Sequence, residues 1–297
     1  MVEIMNLILN YTPTGMIPSK VMTPHVPVSV QEIVESVHEA VEIGITMVHL
    51  HARDKRTGAP TYKAEVYRSI IEGIRKFSCD LVIGVSLSGR NFNELEKRSE
   101  VLQLTGSDKP DMGSLTLSSL NFNRQASIND PEMVQALARE MLNRDIMPEL
   151  EAFDIGMIHY AKYLINKGLL KPPFYFNLIL GNVACAQANL LHSGIMLNDL
   201  PPSSLWSMGA VGDYQLPINS MAIAMGGGVR TGLEDNIWYD RARSKLARNS
   251  DLLRRIHILA EANERLIMKP DELRMRLRLE GGNGQYGRGE SQNKPQD

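Results

Sequence analysis

Residues 29–51 read SVQEIVESVHEAVEIGITMVHLH. Ser29 is placed to cap the start of a helix, Glu32 stands three residues on, and Gly44 ends it. Between them Ile33, Val34, Val37, Ala40 and Val41 fall on one face of a 3.6-residue period. The apolar run Ile45–His51 follows at once and reads as a strand. An amphipathic helix feeding directly into a short apolar strand is the unit from which a parallel sheet with crossover helices is built.

Working outward, the same unit recurs. Strands are expected near Ile4–Tyr11, Ile45–His51, Leu81–Ser86, Met112–Thr116, Ile146–Ala152, Phe174–Leu180, Leu205–Ala210 and Ala222–Gly226. Helical patterns lie between them, among them Val30–Ile43, Ala64–Phe77, Pro131–Asn143 and Ile155–Asn166. The loops vary and no fixed-period repeat marks a solenoid. An open doubly wound sheet also suits the alternation. The count of eight, and the lack of a Gly-x-Gly-x-x-Gly turn after the first strand, favour a closed (β/α)8 TIM barrel. The barrel is expected to occupy residues 1–280 as one domain. The Gly-, Gln- and Asn-rich segment 281–297 reads as a flexible or partner-contacting tail.

Composition narrows the function classes. The 297 residues are 43% hydrophobic and 22% charged, ordinary for a globular chain. A formal net charge of −2, with no dense Lys/Arg block, argues against nucleic acid as a partner. Cys79 and Cys185 are too few and too isolated for a disulfide framework or a thiolate zinc cluster. No apolar run approaches the roughly 20 residues of a membrane helix. Met1-Val2-Glu3 leads into Ile4 without a signal-peptide pattern, so a cytoplasmic enzyme is the expectation.

His49 and His51 are separated by one residue at the end of an expected strand, so both imidazoles point to one face, here the barrel interior near its C-terminal rim. That geometry lets two nitrogens converge on a metal ion. The spacing alone equally suits a structural pair bonded to backbone or carboxylates. A third ligand is best sought in Gly226-Gly227-Gly228-Val229-Arg230-Thr231-Gly232-Leu233-Glu234-Asp235-Asn236, whose glycines permit close backbone approach to a ligand. Glu234 and Asp235 would also serve as ordinary caps where that loop becomes a helix. Two histidines and a carboxylate with open positions form a common catalytic site for zinc or another divalent ion. Of the other histidines, only His25, in the loop after the first strand, is placed to approach the rim. Ser86, Ser88, Ser114, Thr116, Glu149 and Glu151 put further polar groups at strand ends, and Glu151 is a candidate partner for Arg230.

With these residues placed, the sequence resembles the β-keto acid cleavage enzyme family from Leu7 to about Leu266. The resemblance rests on Thr14-Gly15, His49-Leu50-His51, Ser86, Leu120-Asn121-Phe122, Pro148-Glu149-Leu150-Glu151 and Arg230 to Asn236, in that order. It implies a zinc-bearing barrel in a homo-oligomer, a tetramer, converting a β-keto acid and acetyl-CoA into acetoacetate and a new acyl-CoA. It further implies His49, His51 and Glu234 as metal ligands, Asp235 as general base, and Arg230 as its electrostatic partner oriented by Glu151. Ser86 is implied as a substrate contact, and Thr14, Ser114 and Thr116 are placed as substrate-binding residues.

The resemblance breaks in three places. Aminohexanoate-cleaving members carry a carboxylate soon after the Thr-Gly pair, whereas Ile17 stands here, which argues against an amino-bearing substrate. Gly181-Asn182-Val183-Ala184-Cys185 is less glycine-rich than usual, and Asp213 stands where a basic residue is common; both bear on CoA recognition. Three rivals remain at this level. A barrel hydrolase would need later histidines that are missing. A Schiff-base aldolase would need a lysine on the strand Phe174–Leu180, which has none. A catalytically silent metabolite-binding relative rests on Ile17 and Asp213.

Overall fold

The structure, a computed structural model, describes residues 5–289. Its sheet is a closed barrel of eight parallel strands in the order β1 (Leu9–Tyr11), β10 (Gly228–Thr231), β9 (Ser204–Ala210), β8 (Phe174–Leu180), β7 (Met147–Ala152), β4 (Met112–Thr116), β3 (Val82–Val85) and β2 (Met47–Leu50). A two-stranded ribbon, β5 (Leu120–Asn121) with β6 (Ala126–Ser127), lies above the end of β4. The TIM barrel expected from the alternation is the fold. Helix α1 spans Val30–Ile43 with the Ser29/Glu32 capping box formed, and Gly44 takes φ 106° where the chain leaves the helix. Helix α2 (Ala64–Arg75) stops two residues short of the expected Phe77, α3 is a single turn at Leu95–Arg98, α4 (Pro131–Asn143) and α5 (Ile155–Asn166) match the expected bounds, and α6 spans Leu190–Asn198.

The eighth barrel strand departs from expectation. Ala222–Ala224 belongs to helix α7 (Gln215–Ala224), and the strand begins at Gly228. An apolar run of this length has no decisive periodicity by itself. The burial of Ile218, Asn219, Ala222 and Ile223 shows the helical spacing, and Gly226 at φ 85° turns the chain out of it. Arg230 therefore lies inside the strand. The glycines serve the barrel's lower half: a Cβ at Gly227 would collide with the Trp206 ring, and one at Gly228 with Ser207 and Ile8.

Period-2 alternation grades the interior from apolar to polar. Ile8, Met47, Val82, Met112, Met147 and Tyr175 fill the lower layer, closed from below by Met268, Leu273 and Leu277, the last two on α9 (Pro270–Leu277). Two residues further along the same strands stand Asn10, His49, Gly84, Ser114, Glu149 and Asn177. The next step reaches Thr12, His51, Ser86, Thr116 and Glu151 at the C-terminal rim, where barrel active sites lie. The first part of the Gly- and Asn-rich tail is docked: Tyr286 is buried beside the Arg75 guanidinium, and Gly287 N donates to Asp111 Oδ1 at 3.1 Å. Residues 290–297 of that tail lie outside the described residues, as does Ile4 at the start of the first expected strand. Among the described residues, no helix is long and apolar enough to cross a membrane.

Candidate metal centre and catalytic site

His49 and His51 project to the same side, with Nε2 atoms 3.2 Å apart. His51 Nε2 lies 3.2 Å from Glu234 Oε1. One ligand atom from each of His49, His51 and Glu234 falls within 4.8 Å of the others. Tetrahedral ligands about 2.05 Å from a zinc ion would sit about 3.3 Å apart, close to both spacings. The lone-pair chemistry agrees. Glu149 Oε2, 2.7 Å from His49 Nδ1, can only accept, so Nδ1 carries a proton and Nε2 is the nitrogen left to face an ion. Glu234 Oε2 is buried without a partner, a free anionic oxygen in this cluster. The residues fit a divalent ion.

A second cluster, His49 with Glu149 and Glu151, also satisfies the distance test for a metal. It is the poorer site. The 2.7 Å separation of His49 and Glu149 is a hydrogen bond, too short for two ligands of one ion. Glu149 Oε1 is already occupied by Asn10 and Asn177 Nδ2, each at 2.9 Å. Gly84 makes room for this buried carboxylate, because a Cβ there would stand 3.2 Å from Glu149 Oε2. In the metal-free protein burial disfavours the charged form of His49, yet Glu149 outweighs it and raises the imidazole to about 9, so an ion taken up at Nε2 would displace a proton. For His51 burial prevails and the pKa is lowered.

Arg230 joins the metal cluster to its neighbour. Its Nε and Nη2 hold Asp235 bidentately at 2.8 and 3.1 Å, and Nη2 also meets Glu234 Oε1 at 2.6 Å. No helix starts at Glu234 and Asp235, so the capping role does not arise; α8 (Asn249–Ala262) begins well beyond. Burial pushes the Asp235 carboxyl up despite the adjacent guanidinium. Glu151 stands 3.9 Å from Arg230 Nη1, an ion pair without a hydrogen bond, and accepts from Thr116 Oγ1 at 2.7 Å. Arg230 is thus anchored by Asp235 and Glu234 more than by Glu151. Its Nη1 is buried without a partner.

The remaining expected residues are placed as follows. Ser86 lines a cleft with His51, Met16, Ser88, Tyr62 and Phe92. Thr14 is buried with its hydroxyl unpartnered, while Ser114 Oγ accepts from Leu87 N at 3.0 Å and so shapes the Ser86 loop. Gly15 takes φ 67°, and a Cβ there would lie 2.5 Å from Glu234 Cγ, which explains the glycine after Thr14. Arg53 clamps this loop through Gly15 O and Pro18 O at 2.6 and 2.9 Å. Asp213 is paired with Arg243 at 3.0 Å, so its charge is offset locally. Asn182 Nδ2 reaches Asn121 O at 2.9 Å. His25 is not in either cluster. Glu149, given no role by its strand-end position alone, and Asn10 and Asn177, absent from the expected site, are marked in the sequence only by the i, i+2 step above Met147, Ile8 and Tyr175.

Residues 6–279 match the family described as beta-keto acid cleavage enzyme. A 3-keto-5-aminohexanoate cleavage enzyme of Fusobacterium nucleatum is 34% identical, over 92% of this chain and 98% of the relative. A 3-oxoadipate:acetyl-CoA acetyltransferase of Cupriavidus necator is 33% identical, over 92% and 94%. Among solved structures, apo ObcA superposes with a TM-score of 0.74 at 19% identity; the match covers 86% of this chain and 65% of that one, and supports the barrel fold. With the family match spanning nearly the whole chain, this protein belongs to the beta-keto acid cleavage enzymes.

Proposed function

We propose that this enzyme converts a β-keto acid and acetyl-CoA into acetoacetate and the acyl-CoA of the remaining chain, using a divalent metal, zinc by preference. The observation that carries the reading is the cluster of His49, His51 and Glu234 beside a bidentate Arg230–Asp235 pair at the C-terminal rim. His49, His51 and Glu234 would hold the ion. When bound it would act as a Lewis acid toward the keto and carboxylate oxygens, acidifying the carbon between them.

Asp235, whose buried carboxyl is raised, takes the proton from that carbon. The carbanion attacks the acetyl-CoA carbonyl and CoA leaves as the thiolate. CoA then adds to the original keto carbon, and cleavage of the bond between that carbon and the deprotonated one releases the new acyl-CoA and the carbanion of acetoacetate, to which Asp235 returns its proton. The unpartnered Nη1 of Arg230 is available to a developing oxyanion. Glu151 and Thr116 hold the opposite wall, and Ser86 and the free Thr14 hydroxyl supply contacts to the acid. Ile17, apolar and half exposed, offers nothing to an ammonium group.

The reading extends to a cytoplasmic homo-oligomer, checked by fractionation and by light scattering. The decisive assay is a β-keto acid panel followed for acetoacetate with and without acetyl-CoA. Cleavage that proceeds unchanged without the thioester would overturn the acyl transfer and favour a hydrolase.

A further inference from the structure

Arg90 is a cation at the mouth of the barrel that the chemistry above does not use. It follows Gly89 in the loop after β3, and the loop is pinned to the β5–β6 ribbon. Ile128 N donates to Gly89 O at 3.1 Å, a side chain at Gly89 would collide with Ile128 O, and Gln125 Nε2 donates to Arg90 O at 3.1 Å. The guanidinium carbon lies 3.6 Å from the centroid of the Phe122 ring, which in turn meets Phe153 edge-on at 5.8 Å. Backbone and guanidinium plane are therefore both positioned before any ligand arrives.

Among the described residues this guanidinium makes no hydrogen bond and no ion pair, and its Nε is buried without a partner. The other arginines near the mouth are committed: Arg53 to Gly15, Pro18 and Gly58 carbonyls, Arg98 to Leu87, Ile128 and Asn129, Arg230 to Glu234 and Asp235. Ser86 and Ser88 of the same loop line the cleft with His51, so the loop opens on the reaction site, and Glu234, Glu151 and Asp235 oppose the lowering of the Arg90 pKa that burial causes. Those carboxylates are held by Arg230 and Thr116. A stacked guanidinium with an open fork is suited to a planar anion.

We propose that Arg90 receives an anionic group at the far end of the β-keto acid, so that the preferred substrate carries a second carboxylate. This rests on the β-keto acid reading above. Ile17 adds the complement, since no acidic side chain stands at that position to repel such a group. A CoA phosphate offers the same charge, but it lies a full pantetheine arm from the reacting thioester, whereas Arg90 follows by two residues Ser88, which lines the cleft with His51 and Ser86.

The test uses two β-keto acids of equal length, one ending in a carboxylate and one in a carboxamide, with the wild-type holoenzyme, Arg90→Gln and Arg90→Lys. Binding is measured by calorimetry without acetyl-CoA, and kcat/KM with it. Arg90→Gln is expected to weaken the carboxylate-ended acid about 10- to 100-fold, the loss of one charge-assisted hydrogen-bonded contact. The carboxamide should bind as before, and Arg90→Lys should recover part of the loss. Equal losses for both acids would overturn the proposal, as would an effect confined to the KM of acetyl-CoA, which assigns the cation to a CoA phosphate. Arg90-dependent binding of the carboxylate-ended acid without turnover of either acid sustains the anion site and sinks the cleavage reading. Turnover of both acids without Arg90 discrimination does the reverse.

Discussion

Glu149→Gln tests the proposed metal centre through a residue outside the proposed ligand set. Glu149 Oε1 accepts from Asn10 and Asn177, and Oε2 accepts from His49 Nδ1 at 2.7 Å. A glutamine carbonyl retains the two asparagine bonds, but its NH2 then faces His49. The imidazole must accept there, which confines its one proton to Nε2, 3.2 Å from His51 Nε2. The metal-free variant keeps its buried groups paired and should fold, while one ligand lone pair is lost. Removing such an outer partner lowers metal affinity about 10- to 100-fold, equivalent to about 1.4–2.7 kcal/mol. Competition against a chromophoric chelator at neutral pH measures the loss, and thermal melting of the metal-free protein confirms the fold. Equal affinity in wild type and variant would refute the reasoning.

Four further outcomes are expected. Asp235→Asn should lower kcat about 10²- to 10⁴-fold, the usual scale for a general base, with metal content by atomic absorption unchanged. Gly15→Ala should weaken metal binding, because its Cβ would lie 2.5 Å from Glu234 Cγ at φ 67°; chelator competition and circular dichroism together separate this from unfolding. Ser29→Ala removes the cap of α1 and should cost about 1 kcal/mol in denaturant unfolding. Burial raises the Glu32 carboxyl, but Lys20 and the backbone N–H groups of Ser29 and Val28 outweigh this and hold it at about 2. A depressed folded pKa stabilises above the ordinary value of 4.5 and loses that effect as pH falls toward about 2, so the advantage of wild type over Glu32→Gln in urea should vanish across that window.

Much of this protein was legible in one dimension because barrel strands write their layers with period 2. Met47, His49 and His51 climb one strand from floor to rim, as do Met147, Glu149 and Glu151, so an alternating sequence already sorts plug from site. The Ser29/Glu32 capping box and Gly44 are local signals, and they delimited α1 to the residue. The Ala222–Gly226 segment failed for the opposite reason: an apolar run of five residues is too short to show a period, and suits a strand or a helix until its packing is known.

What the chain could not disclose alone is who meets whom at the rim. His51 and Glu234 are 183 residues apart, and only barrel closure through β10 and β1 brings them to 3.2 Å. The choice of Asp235 and Glu234 over Glu151 as the anchors of Arg230, the lone pair of His49 set by Glu149, and the open guanidinium of Arg90 are likewise facts of tertiary structure. Hydrogen bonds are selected by distance and direction among groups that sequence spacing leaves unordered, whereas periodicity and capping act within a few residues.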